Sequence, residues 1–164
     1  MKVYIVEDNP FYAELLATDL SNLGIETVEI FYSAEDCSAN LNSSVDLVIA
    51  DYHLDKVNDG MNGLDFFRYT REKHPGIPFV MLTGQDDVQL AVNMMKEGIY
   101  DYIIKDDQSF AVLRKIIINL RQELRIKEKV QKNSSKIVKN KKGFIRYIAM
   151  LFGLIALLIA SIIW

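Results

Sequence analysis

Cysteine is nearly absent from this 164-residue chain: Cys37 stands alone. No intramolecular disulfide can form, so the chain gives no argument for a secreted, cross-linked scaffold, and a reducing cytoplasm suits it better. Histidine is almost as scarce. His53 and His74 have no third ligand at a suitable spacing, so no transition-metal centre is expected. The segment after Met1 and Lys2 runs directly toward Glu7 and Asp8 and lacks the apolar stretch and small-residue cleavage site of a signal peptide. Acidic residues are missing from residues 131–164, which carry six Lys and Arg, whereas residues 1–130 hold all 22 acids against 13 bases, a net charge of −9. Nucleic acid attracts clusters of Lys and Arg, so the acidic head makes no electrostatic case for it as a partner.

Charge of either sign is missing from the 18 residues 147–164. A helix of that length spans about 27 Å at 1.5 Å per residue, close to the roughly 30 Å of a bilayer's hydrocarbon core. A single-pass anchor over 144–164 is therefore expected. Lys136, Lys139, Lys141, Lys142 and Arg146 precede the uncharged stretch 147–164, which predicts a cytoplasmic position for the acidic head. Ser161 is the sole polar side chain of the span and Trp164 falls at its far end, a pattern of an anchor and not of a channel.

Within the head, short apolar runs rich in β-branched residues recur at 3–6, 25–30, 45–50, 77–82 and 100–104, separated by stretches with helical spacing. The third run is continuous, with Val45, Leu47, Val48, Ile49 and Ala50, as suits a strand buried on both faces of a parallel sheet. Five strand–helix repeats predict an α/β, doubly wound open sheet. Asn9 before Pro10 reads as a helix start, and Gly24 and Gly98 as helix stops. The stretch 55–63, with its glycines and asparagines, is a loop. A last helix is expected from about Gln108, with Phe110, Leu113, Ile117, Leu120 and Leu124 along one stripe. Its far end offers a seam to a second copy of the chain, a possible homodimer, although Lys127 interrupts it. Residues 132–142 read as a lysine-rich linker. The resulting division is a folded domain at 1–125, an extension and basic linker at 126–143, and the anchor at 144–164.

Ligands of open parallel sheets bind outside the carboxyl ends of the strands. The polar residues there are Glu7 and Asp8 after the first strand, Asp51 after the third, Thr83 after the fourth and Lys105 after the fifth. Each has a plain explanation alone, as a cap, a turn residue or a solvated charge. Together they are three carboxylates whose mutual repulsion needs a cation or a lysine to offset it. Magnesium accepts one or two carboxylates plus waters and a phosphoryl oxygen. A lysine and a hydroxyl complete the donors that a transferring phosphoryl group requires.

Residues 3–10 (VYIVEDNP), 46–52 (DLVIADY), 81–84 (MLTG) and 100–105 (YDYIIK) together resemble a response-regulator receiver domain of two-component signalling, over about residues 1–125. The resemblance implies a flavodoxin-like sheet of order 2-1-3-4-5. It implies that Glu7, Asp8, Asp51 and the backbone carbonyl of His53 hold Mg2+, and that Asp51 accepts a phosphoryl group from a histidine kinase or phosphotransfer protein. Thr83 and Lys105 would bind the phosphoryl oxygens, with Thr83 and Tyr102 forming the switch. Such a protein catalyses only its own phosphoryl transfer and dephosphorylation and is not otherwise an enzyme. Its downstream protein partner is not legible.

Two positions depart from the family pattern. Asp106 stands where a proline, often with a cis bond, usually follows the lysine; cis without proline costs about 2.5–4 kcal/mol, so the connection is expected to be built differently. The loop after Asp51 is longer than usual before Gly63 and Leu64. Alternative readings are a membrane scaffold that uses the same fold without phosphorylation, and a phosphate sink fed by a shared kinase.

Overall fold

Five parallel strands form one sheet in the computed structural model, which describes residues 1–54, 60–84 and 88–163, with the side chains of 88, 137–140, 143, 147 and 152–163 also outside the described set. The elements in chain order are β1 (Lys2–Val6), α1 (Pro10–Asn22), β2 (Thr27–Phe31), α2 (Ala34–Asn40), β3 (Leu47–Asp51), α3 (Gly63–Lys73), β4 (Phe79–Thr83), α4 (Val88–Glu97), β5 (Asp101–Ile104) and α5 (Ser109–Ile163). The strand order is β2-β1-β3-β4-β5, so the chain reverses direction across the sheet between β1 and β3, where a ligand crevice opens in folds of this kind.

Every residue of β3 and β4 is buried, as the unbroken apolar runs require of central parallel strands. Successive side chains of a strand point to opposite faces. One set, Tyr4, Val6, Val48, Ala50, Phe79 and Met81, joins Cys37, Phe66, Phe67 and Met94 in a single core cluster. Phe66 and Phe67 of α3 meet Phe79 edge to face at 5.6 and 5.3 Å between ring centres, a preferred aromatic geometry. The alternate set, Val3, Ile5, Leu47, Ile49, Val80 and Leu82, is equally buried, as are Ala13, Leu16 and Leu20 of α1 and Leu113 and Ile117 of α5.

The helix ends follow local chemistry. Asn9 caps α1, its side chain accepting from the N–H groups of Phe11 and Tyr12, with Pro10 in the first turn. Gly24 and Gly98 follow α1 and α4 at φ of 72° and 88°, backbone conformations that cost glycine little.

Two strand ends differ from the sequence reading. Asp51 and Thr83 are the last residues of β3 and β4, not the residues after them. The ladder decides this: Asp51 pairs with Leu82 and Thr83 with Ile104, so each polar residue extends its strand by one rung.

The chain divides into two compact units, Met1–Asn119 and Leu120–Trp164. The second unit is helical backbone throughout its described part, including residues 132–142, expected as a linker. No proline follows Pro78, so nothing in this stretch removes a backbone donor from the helical ladder. Among the described residues, no helix is long and apolar enough to cross a membrane. Most of the expected anchor at 144–164 lies outside the described side chains.

Candidate functional site

The parallel strands β1, β3, β4 and β5 end at one edge of the sheet, and the polar residues singled out in the sequence stand there. Glu7 follows β1 directly and is 1 % exposed, while Asp51, at the tip of β3, is 6 % exposed. Glu7, Asp8 and Asp51 each present an oxygen within 4.8 Å of the others. Because Asn9 caps α1, the plain reading of Asp8 as that cap does not apply.

Lys105, after β5, reaches across this cluster. Its Nζ lies 2.7 Å from Glu7 Oε2 and 2.7 Å from Asp51 Oδ2. Such charge-assisted bonds are about twice as strong as neutral ones. Burial disfavours the ammonium, but the bonds to Asp51 and Glu7 outweigh it and hold the Lys105 pKa above the ordinary lysine value. Glu7 is shifted upward, chiefly by burial, with the Lys105 bond opposing. One lysine thus offsets two of three clustered carboxylates.

The backbone around Asp51 is tightly built. The His53 N–H donates to Asp51 Oδ1 at 3.1 Å, which turns the chain beside the carboxylate. The Tyr52 N–H donates to the Leu82 carbonyl at 2.7 Å, and the Lys105 N–H to the Thr83 carbonyl at 2.7 Å. The latter bond ties the lysine's backbone to the buried threonine. Asp106 replaces a proline-dependent turn with side-chain bonding: its Oδ1 accepts from the Gln108 N–H at 2.8 Å, and its carbonyl accepts from the Ser109 hydroxyl at 2.8 Å. No peptide bond among the described residues is cis.

Two contributors escaped the sequence reading. Gly63 begins α3 directly against β3: a Cβ there would stand 2.1 Å from the Asp51 carbonyl oxygen and 2.8 Å from Tyr52 Cα. Tyr12, on the first turns of α1, lays its ring 4.5 Å beneath Lys105 Nζ. Glycine at the head of α3 was visible as a loop residue, but the closeness of approach was not. Which way α1 turns Tyr12 had no signal at all.

Tyr102 is half-buried on β5 and packs against the core cluster. It also lines a groove of about 670 Å³ with Ala91, Val92 and Met95 of α4 and Val112 of α5. Residues 55–59 of the long loop after Asp51 and residues 85–87 after Thr83 lie outside the described residues.

These features define a doubly wound α/β protein with an acidic, lysine-bridged pocket at the carboxyl edge of its sheet. The chain belongs to the response regulator receiver domain family, whose model matches residues 3–117. It is 31 % identical over 121 residues to the DNA-binding response regulator MtrA of Mycolicibacterium smegmatis, covering 74 % of this chain and 51 % of that one. It is 25 % identical over 124 residues to the DNA-binding transcriptional regulator NtrC of Escherichia coli K12, covering 74 % and 26 %. The chain thus spans about a quarter to a half of the length of these curated relatives. A receiver domain protein from Clostridium thermocellum has the same fold, with a TM-score of 0.64 at 24 % identity, over 76 % of this chain and 97 % of that one.

Receiver domains bind Mg2+ at an acidic pocket, and they interact with histidine kinases or phosphotransfer proteins. The residues here fit the ion. The donors of Glu7, Asp8 and Asp51 are all carboxylate oxygens within 4.8 Å of one another, the hard-ligand set that Mg2+ prefers.

Proposed function

We propose that this chain is a phosphorylation-dependent signalling receiver in which Asp51 accepts a phosphoryl group from a histidine kinase or phosphotransfer protein. The observation that carries the reading is Lys105 Nζ lying 2.7 Å from both Glu7 and Asp51 within a three-carboxylate cluster. Glu7, Asp8 and Asp51, with the His53 carbonyl, would hold Mg2+. The ion supplies charge neutralisation on the transferring group when bound.

A carboxylate oxygen of Asp51 attacks phosphorus, the bond from phosphorus to the donor nitrogen breaks, and the donor leaves with that electron pair. Asp51 becomes an acyl phosphate. Lys105 exchanges its Asp51 contact for a phosphoryl oxygen, and the Thr83 hydroxyl donates to another. The protein thereby catalyses only its own phosphorylation and dephosphorylation. Thr83 and Tyr102 form the switch, and the groove beside Tyr102 is the surface that a downstream protein reads.

The receiver is held at the cytoplasmic side of a membrane by the uncharged stretch 147–164. The run of bases from Lys136 to Arg146 supports that orientation.

The test is incubation of the full chain in detergent with Mg2+ and acetyl phosphate, read by intact mass. One added phosphoryl group, absent in Asp51→Ala, is the expected result. No addition, with no magnesium binding, would leave an unphosphorylated scaffold as the function.

A further inference from the structure

Among the described residues, three groups flank the Lys105 ammonium: the carboxylates of Glu7 and Asp51 at 2.7 Å each and the ring of Tyr12, 4.5 Å from Nζ to its centre. On the reading above, two of these change during the reaction. Asp51 would become an acyl phosphate, and Glu7 would be among the residues that hold the cation. The Tyr12 ring takes no part in that chemistry.

The ring is itself firmly seated. It packs against Phe110 of α5, with centres 5.9 Å apart, and the main-chain N–H of Tyr12 is bonded by the Asn9 cap at 3.2 Å. Its hydroxyl is buried beside the Ser109 hydroxyl, which gives its own proton to the Asp106 carbonyl at 2.8 Å. An aromatic face attracts an ammonium through its quadrupole, most strongly where water is excluded.

We infer that Tyr12 is a positioning residue for Lys105, its ring face holding the ammonium in line with the phosphoryl site while the carboxylate contacts change. This inference rests on the phosphoryl-acceptor reading of Asp51. It assigns to a side chain of α1 a task that backbone geometry after the lysine would otherwise perform, since Asp106 follows Lys105 and the peptide bonds described here are trans.

Two measurements on the full chain separate this inference from the reading beneath it. In the first, without magnesium or donor, the Lys105 ε-methylene protons are observed by NMR. A ring beneath them shifts their signals upfield; the shift should persist in Tyr12→Phe and vanish in Tyr12→Leu. An unchanged Lys105 signal in Tyr12→Leu would overturn the inference whatever the protein does with phosphate. In the second, phosphorylation by acetyl phosphate is timed. Tyr12→Leu should be about tenfold slower than the parent, Tyr12→Phe should recover most of the rate, and Tyr12→Leu should add nothing in a Lys105→Met background. A full additional loss in that background would mean that Tyr12 acts only through packing and would refute the proposal. If the parent chain itself takes up no phosphoryl group, the acceptor reading fails, and the functional part of the inference fails with it.

Discussion

Lys105 Nζ lies 2.7 Å from Asp51 Oδ2 although 54 positions separate the two residues. Strand order explains the meeting: β3 and β5 flank β4, and both end at the same edge of the sheet. The lysine stands in this structure as counter-charge to Asp51 and Glu7. It lies 2.7 Å from each carboxylate.

Removing that charge should therefore destabilise the metal-free protein. Lys105→Met leaves two buried carboxylates facing each other, and breaking a buried ion pair costs about 3–5 kcal/mol. About 3 kcal/mol is expected here, because the Lys105 side chain retains 19 % exposure. Magnesium should restore much of the loss. Urea unfolding with and without the ion checks this; a variant as stable as its parent in chelator would show that the carboxylates do not need the lysine.

Gly63→Ala should be costly for a different reason. Its Cβ would meet the Asp51 carbonyl oxygen at 2.1 Å, and backbone cannot move aside as a flexible side chain can. A loss of about 3 kcal/mol, the upper end for overpacking, is expected. Gly76→Ala is the control, since nothing lies within 4 Å of the added carbon; it should change stability by less than about 0.5 kcal/mol. Equal unfolding midpoints for the two variants would contradict the close approach of α3 to β3.

Cys37 is fully buried on α2. Burial, with a smaller contribution from Glu29, pushes its thiol pKa up to about 12 from 9.0. The fold therefore favours the protonated thiol, so its stabilising contribution is complete below pH 9 and is lost as pH rises from 9 toward 12. Iodoacetamide at pH 8 should leave the folded protein unlabelled and modify it only in denaturant. Above pH 9, Cys37→Ala should lose stability less steeply than the parent; parallel slopes would exclude the thiol as the source.

Membrane attachment is testable by alkaline carbonate extraction of cells expressing the chain. The full chain should remain with the membrane pellet, and a chain ending at Gln131 should enter the supernatant. Release of the full chain by carbonate would refute a spanning anchor and leave the 147–164 stretch to another role.

Much of the architecture was legible because its causes are local. Apolar runs such as residues 45–50 announce buried parallel strands, and Asn9, Pro10, Gly24 and Gly98 act on the backbone within a residue or two of themselves. The site residues were legible for a related reason: the carboxyl ends of parallel strands gather at one edge, so Glu7, Asp8, Asp51, Thr83 and Lys105 could be placed together without knowing a distance.

Sequence alone determined the strand–helix alternation, the polar residues at four of the five strand ends and the segregation of acid and base along the chain. The tertiary structure decided what depends on relative position. Ladder pairing drew Asp51 and Thr83 into their strands, and the rotation of α1 brought the Tyr12 ring under Lys105. The approach of α3 to β3 left room only for glycine at position 63. Each is a contact across elements, set by how faces pack and not by what stands next in the chain, and a one-dimensional pattern carries no record of it.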